Sequence, residues 1–499
     1  MTGGARESRP ESRRIRLRPG ALAAVACVAL LLFGCTPSQP AGPHPSTPGR
    51  QHSTRPTPAP SDSPPPVPLT LPGVNAWLGY HADHGRTGAA ATPPGVSFSP
   101  IRTAWTDDLG GAVYGQPVVA DGRVIAATEN NRVVALDPAG GQVIWSATIG
   151  RPLTDVQSAA GCGDIDPLGV TSTPVVDIGK GTVYVVAEVS DGNGTVHHQL
   201  EGLSVATGRV LLSERIDPPL PGGERAVQLL QRASLALANG RVYVSYGGNF
   251  GDCGDYHGWV VGVSESGPPR MVTFESAPDG HGGAIWQGGG APAVDARGDL
   301  YVATGNANPD PPEGGPDPVT YAESVVQLSP DLHPVAAFKD ARAGGDEDFG
   351  TGNPVLLPGG RVFAVGKTNI GYVLRQGDLG QQAAIHGICG SDPDGGPAYD
   401  AATNSVFVPC RDGGIQQVDL TRNTVVRRLH GANSAPILIG STVWAAQYPD
   451  GRLSQFDIAS GRLLQQIDVG SSVPHFVSPS TALGRIFLGT DSGVAAFSG

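Results

Sequence analysis

From residue 122 onward the apolar positions fall into short runs, each entered through Gly, Asn or Ser. The runs are GRVIAAT from Gly122, GTVYVVA from Gly181, GRVYVSY from Gly240, GDLYVAT from Gly298, GRVFAVG from Gly360, NSVFVPC from Asn404, STVWAAQ from Ser441 and GRIFLGT from Gly484. β-branched and aromatic residues bounded by turn formers predict strands. Most runs follow a second short run that opens on proline, at Pro117, Pro174, Pro292, Pro354 and Pro436. Hairpins such as RVVALDPAGGQVIW from Arg132 and LSQFDIASGRLLQ from Leu453 follow them, with an Asp ahead of the turn. No window holds a sustained helical period. A repeat of roughly 40 to 60 residues made only of strand and turn predicts radially arranged sheets. The expected fold is all-β: an eight-bladed β-propeller of four-stranded antiparallel blades. The last blade, VSPSTALGRIFLGTDSGVAAFSG, ends after its third strand. Residues 101–109, IRTAWTDDL, are expected to supply the fourth, closing the ring and removing a free edge.

Antiparallel order sorts the loops onto two rims. Loops between blades share a rim with the turns joining second and third strands, and the long Gly-rich sequences all fall there: GCGDIDPLGVTS, NFGDCGDYHGW, GGAIWQGGG, TGNANPDPPEGGPDP, GGDEDFGTGN and GKTNIG. Such loops on a rigid scaffold are where chemistry is sought.

The N-terminal part changes the picture of the mature chain. Six Arg precede the apolar stretch ALAAVACVALLLFG, which ends at Cys35, the pattern of an export signal. LFGC resembles the bacterial lipobox, so residues 1–35 are expected to be a lipoprotein signal with Cys35 as the lipidated residue. Residues 36–73 are rich in Pro, Ser and Thr and are expected to remain an extended tether; the propeller domain is expected over 74–499. The first 35 residues hold six Arg and two Glu, which leaves 27 basic against 43 acidic residues and a formal charge of −16. That sign argues against a nucleic-acid partner and leaves the lipid anchor as the expected membrane contact. Beyond Cys27 and Cys35 four cysteines remain, which in an exported chain suggest two disulfides with three possible connectivities. Cys162 and Cys253 fall on neighbouring blades and Cys389 and Cys410 within one, so those pairs are expected. No C-x-x-C-H occurs, so no c-type haem is attached.

The strings CGDIDPLGVTSTPVVD, YHGWV, IWQGGG, YVATGN, DEDFG and GKTNIGYVL resemble the pyrroloquinoline-quinone (PQQ) dehydrogenase-like propellers, the quinoproteins, over about residues 77 to 499. The resemblance implies a PQQ- and calcium-dependent dehydrogenase acting on an alcohol or sugar outside the cytoplasmic membrane. The same propeller also serves as a non-catalytic binding or assembly scaffold, with an envelope protein as partner. Residue by residue, Trp286 matches the tryptophan on which the quinone stacks, and Asn306 an amide ligand of calcium. Asp348 matches the catalytic aspartate that takes the alcohol proton, and Lys367 the basic residue beside the quinone oxygens. Glu188 is the candidate carboxylate for calcium. Without a haem of its own, the chain implies a separate electron acceptor. Three features depart from the family: no adjacent Cys-Cys pair exists, Glu347 precedes Asp348 where methanol-oxidising members carry tryptophan, and an insertion after TGN runs from Pro309 to Pro318. His81 and His84 stand three apart, a spacing able to bind metal, but the segment Trp77 to Gly88 resembles the lead-in of these propellers and reads as structural. Tyr256 and His257 fall on the active rim.

Overall fold

The computed structural model describes residues 74–499 apart from 268, 309–319 and 341–344. The leader with Cys35, the tether 36–73 and the insertion at 309–318 lie outside the described residues. Eight small antiparallel sheets follow one another along the chain. The first blade is typical: Val118–Ala120, Arg123–Ala127, Arg132–Leu136 and Val143–Thr148, hydrogen-bonded in that order.

The burial of these strands explains why they read as unbroken apolar runs. Second and third strands are covered on both faces by neighbouring blades. In the first interface Val118, Ile125, Val133 and Trp145 pack on Val176, Val183, Val185 and Leu203. Outermost strands meet solvent on one face and alternate, as in Arg102–Asp108 and Thr424–Leu429. Arg102–Asp108 pairs antiparallel with Gly493–Ser498 as the outer strand of the last blade, from Arg102 opposite Ser498 to Asp108 opposite Gly493. The expected closure is therefore present.

Blades are also locked at their outer edges. Trp105 of the closing strand donates its indole N–H to the Pro138 carbonyl (3.0 Å), and Trp145 donates to Val205 (2.9 Å). Each ring lies over a turn glycine of the next blade, Gly141 or Gly208, where a Cβ would collide with it. Both glycines take positive φ, 81° and 69°.

The lead-in segment lines the axis. Backbone carbonyls of Val74, Trp77, Leu78, His84, Gly85, Thr87 and Gly88 accept N–H groups from Leu483, Val119, Val176, Val294, Leu356, Tyr399 and Leu438. One pass of chain thus serves the inner side of every blade except the third. Arg86, buried, donates to the carbonyls of Pro292 (2.9 Å), Tyr80 (3.1 Å) and Asp83 (3.1 Å). His81 stacks on Tyr80, and burial lowers its pKa to about 3; burial lowers that of His84 to about 4. These histidines are neutral structural groups, in line with the sequence reading. Both expected disulfides form, with Cα–Cα distances of 5.9 Å for Cys162–Cys253 and 5.6 Å for Cys389–Cys410.

Candidate functional site

Each rim loop inherits its position from the strand before it. Lys367 follows Arg361–Val365 into a turn, and Asn306 follows Leu300–Ala303 in the same way. Asp348 lies on the loop between these two blades, fixed from behind by Phe349, which is wholly buried. Asp348 is itself only 6% exposed. Its Oδ1 accepts the Asn306 backbone N–H (3.0 Å), and its Oδ2 lies 2.9 Å from Lys367 Nζ. The Lys367 N–H donates to the Asp348 carbonyl (2.9 Å). Gly305 permits this clamp, since a Cβ there would collide with the carboxylate.

Burial raises the Asp348 pKa above its ordinary 3.8, against the pull of Lys367. Burial works downward on Lys367, yet Asp348 and then Asp346 outweigh it, and the ammonium is held more firmly protonated. Lys367 also pairs with exposed Asp346, so one cation bridges a buried carboxylate and a solvated one.

Trp286 belongs to the same strip. Ala284, two residues before it, accepts the Gly305 N–H (2.9 Å). Trp286 is half-buried and leads into the tight turn Gln287–Gly289. Its ring meets Phe476 of the eighth blade edge to face at 5.3 Å. Phe476 stacks on His475 (3.7 Å), and His475 on Tyr448 (4.6 Å). His475 Nε2 is 2.9 Å from Asp394 Oδ2. Aromatic contact thus runs from the fourth blade to the eighth across the mouth of the channel.

Glu188 lies apart from Asn306. It is 2% exposed, both carboxylate oxygens lack hydrogen-bond partners, and Oε2 is 3.8 Å from His198 Nε2. Burial, then the charges of Glu129 and Asp217, raise its pKa well above 4.5. Glu129 accepts from the Gly169 N–H (2.8 Å) and the Thr171 hydroxyl (3.1 Å), and burial raises it to about 7. Among the described residues no group of three or more His, Cys, Asp and Glu is placed to hold a metal. Tyr256 donates to Asp252 (2.6 Å), and the His257 ring nitrogen Nε2 pairs with the Gly280 carbonyl (2.8 Å), so both tie loops together. A groove of about 300 Å³ between the first two blades, lined by Val189, His197, Glu201 and Val210, shares no residue with the mouth.

The structure therefore joins Asp348, Lys367, Asn306 and Trp286 along one strip and leaves Glu188 two blades away. Sequence reasoning missed Arg232, Asp394, His475 and Phe476. A positional signal exists: Asp394 and Phe476 each stand three residues before the proline that opens an innermost strand, Pro397 and Pro479. That place points toward the axis in a propeller.

The comparisons agree with this architecture. Residues 102–308 match the PQQ_2 family model, described as outer membrane protein assembly factor BamB. Polyvinylalcohol dehydrogenase of Sphingopyxis sp. (strain 113P3) is 23% identical over 501 residues, covering 85% of this chain and 72% of that protein. Quinohemoprotein alcohol dehydrogenase ADH IIB of Pseudomonas putida is 26% identical over 306 residues, 55% of this chain and 41% of its own length. The chain thus spans under half of that second relative. The quinohemoprotein alcohol dehydrogenase from Comamonas testosteroni superposes with a TM-score of 0.64 at 16% identity, covering 85% of this chain and 80% of that one. With eight blades closed by an N-terminal strand, the fold is an eight-bladed β-propeller, similar over residues 102–308 to the PQQ_2 model and in architecture to the quinohemoprotein dehydrogenase structure.

Proposed function

We propose that the propeller is a quinoprotein dehydrogenase that oxidises an alcohol or sugar, with Asp348 as the base. The observation that carries this reading is a carboxylate 6% exposed, set 2.9 Å from Lys367 on the strip that presents Trp286. The residues fit a planar quinone: an indole half-open at the mouth, a glycine turn beside it, and a cation next to a buried carboxylate. When bound, PQQ supplies the two-electron acceptor for the hydride that leaves the substrate carbon.

Trp286 offers an apolar floor on which a flat ring would rest. Lys367 Nζ holds Asp348 in place and would be the donor that faces a bound quinone. Asp348 Oδ2 accepts the hydroxyl proton of the substrate, and burial makes it a stronger base than a solvated aspartate. Lys367 also touches exposed Asp346, which holds the same ammonium from the solvent side. A calcium ion would be held by Glu188, whose two buried oxygens are unpartnered; Asn306, two blades away, would take no part in that site. Export, lipidation at Cys35 and a tether over 36–73 complete the proposal, with a separate electron acceptor outside the membrane.

A second reading is a non-catalytic scaffold that binds an envelope protein. The contact of Trp286 with Phe476 favours it, because that contact already occupies one side of the indole.

Purified protein mixed with PQQ and calcium separates the two. A bound-quinone absorption band with alcohol-dependent dye reduction is expected. Asp348→Asn should keep the band and lose turnover by about 10²- to 10⁴-fold. No band at saturating PQQ leaves the scaffold; full turnover in Asp348→Asn removes the base.

A further inference from the structure

The second blade has a longer central hairpin than the first. Its strands Thr182–Gly192 and Thr195–Ser204 run for eleven and ten residues, against five each for Arg123–Ala127 and Arg132–Leu136. Along Thr195–Ser204 the side chains of His197, Gln199, Glu201 and Leu203 share one face. Leu203 packs into the apolar interface with the first blade. All four line a groove of about 300 Å³, together with residues 147–150 at the end of the first blade's outer strand. That volume lies at the lower end of small-ligand sites, about 300–1,000 Å³.

Glu201 is 7% exposed. Its Oε1 accepts the Ser213 hydroxyl (2.6 Å) and, more weakly, Gln199 Nε2 (3.4 Å), and Gln199 Nε2 also donates to Ser213 Oγ (2.9 Å). The carboxylate is therefore held in place through one oxygen. The other, Oε2, is buried without a hydrogen-bond partner. Burial raises the Glu201 pKa, against the pull of Ser213 and Gln199. No Lys or Arg lines the groove, and the His197 ring is turned to Asp191, 2.8 Å from Nδ1. Asp348 shows the contrast: it is buried to the same degree, but the chain supplies it with an ammonium at 2.9 Å.

A buried acceptor left unmade is costly, and a cationic donor is its strongest partner. The groove walls are otherwise apolar, at Ile149, Val189, Leu203 and Val210. Among the described residues no group of three or more His, Cys, Asp and Glu is placed to hold a metal. One carboxylate oxygen beside apolar walls suits an ammonium on a hydrocarbon body better than a hard cation, which needs six or more oxygens.

We propose that this groove binds a small primary ammonium compound, with its charged head on Glu201 and its apolar body against Val189, Leu203 and Val210. The site shares no residue with Asp348, Lys367 or Trp286, so it stands whether or not the propeller binds a quinone.

The experiment titrates the full chain calorimetrically at pH 7 with hexylamine and with 1-hexanol, its neutral counterpart of equal length. The wild type is expected to prefer the amine by about 10- to 100-fold. Glu201→Gln should abolish that preference while every other acidic residue remains, which separates the groove from general attraction to an acidic surface. Half-exposed Val210 offers a second variant, Val210→Trp, which fills the groove without touching the carboxylate and should lose binding of both compounds with an unaltered melting curve. It also decides the case in which Glu201→Gln fails to fold. No binding of hexylamine by the wild type up to about 10 mM, or equal binding of amine and alcohol, overturns the site. So does an undiminished preference in Glu201→Gln, or full amine binding in Val210→Trp.

Discussion

The rim carries two sets of buried carboxylates, and their surroundings differ. On the fourth and fifth blades Asp348 is buried but answered, by Lys367 at 2.9 Å and by a backbone N–H at 3.0 Å. On the first and second blades Glu188 meets the charges of Glu129 and Asp217 and has no hydrogen-bond donor at all, while Glu129 has a backbone N–H, the Thr171 hydroxyl and only the more distant charge of Arg232. Burial pushes all three pKa values upward. Only the first set has an ammonium in contact, which favours the charged carboxylate that a base must be. Residue type is shared; the neighbour decides between a base and an acid kept neutral.

The largest test of that contrast removes the answering cation. Lys367→Met should lower turnover by about 10²-fold or more, a general-base effect lost with its positioning group. Activity requires ionised Asp348, so it is present above the raised pKa and falls as pH drops through it. Without Lys367 that acidic limb should move to higher pH, and Lys367→Arg should return most of the shift. A pH profile of kcat measured for the three proteins decides; an unmoved limb in Lys367→Met would mean the ammonium does not govern Asp348.

Next in size is a stability effect on the other side of the rim. Glu129 moves from 4.5 to about 7 on burial. A carboxyl whose pKa rises on folding favours the fold below the unfolded value and opposes it once pH passes the folded one. At pH 8 its charge costs on the order of 3 kcal/mol. Glu129→Gln should recover much of that at pH 8 and little at pH 4.5, read as the change in urea midpoint at both pH values. Equal stabilities at pH 8 would show that the carboxylate has a partner in solution that neutralises it.

The legible part of this protein was its backbone periodicity. Runs such as GRVYVSY reveal central strands because both faces are covered, and IRTAWTDDL reveals an outer strand because one face is wet. The disulfide pairs followed from placing loops on blades. Asp348, Lys367 and Asn306 came from the motifs DEDFG, GKTNIG and YVATGN, which resemble the quinoproteins, and the strand order put those motifs on neighbouring loops of one rim. The contacts across the channel were not. Trp286 meets Phe476, and Arg232 meets His475 across 243 positions, through loops whose paths depend on glycine turns rather than on any apolar period. The lead-in segment was equally silent about its task, since it serves the blades through backbone carbonyls, which every residue type possesses. Glu188 reads as a possible ligand from its rim position alone; Glu129 and Asp217, which with burial raise its pKa, come from elsewhere in the sequence.

The smallest effect concerns how Glu188 is neutralised. In the fold it is 2% exposed with two unpartnered oxygens, a state relieved either by a bound proton or by a bound cation. The two reliefs respond differently to Gln. A protonated acid and an amide are both neutral, so without calcium Glu188→Gln should melt at or above the wild-type temperature. An ion held by a carboxylate stabilises by mass action, about 1.4 kcal/mol at ten times its Kd, and an amide substitution removes that gain. Thermal melts at pH 7 with a calcium chelator and with millimolar calcium chloride measure both arms. The expected result is a calcium-dependent rise in Tm for the wild type and none for Glu188→Gln. Should calcium shift neither protein, Glu188 is kept neutral by its own proton, the contrast between the two sides of the rim becomes sharper, and calcium drops out of the proposed chemistry while Asp348 and Lys367 remain in it.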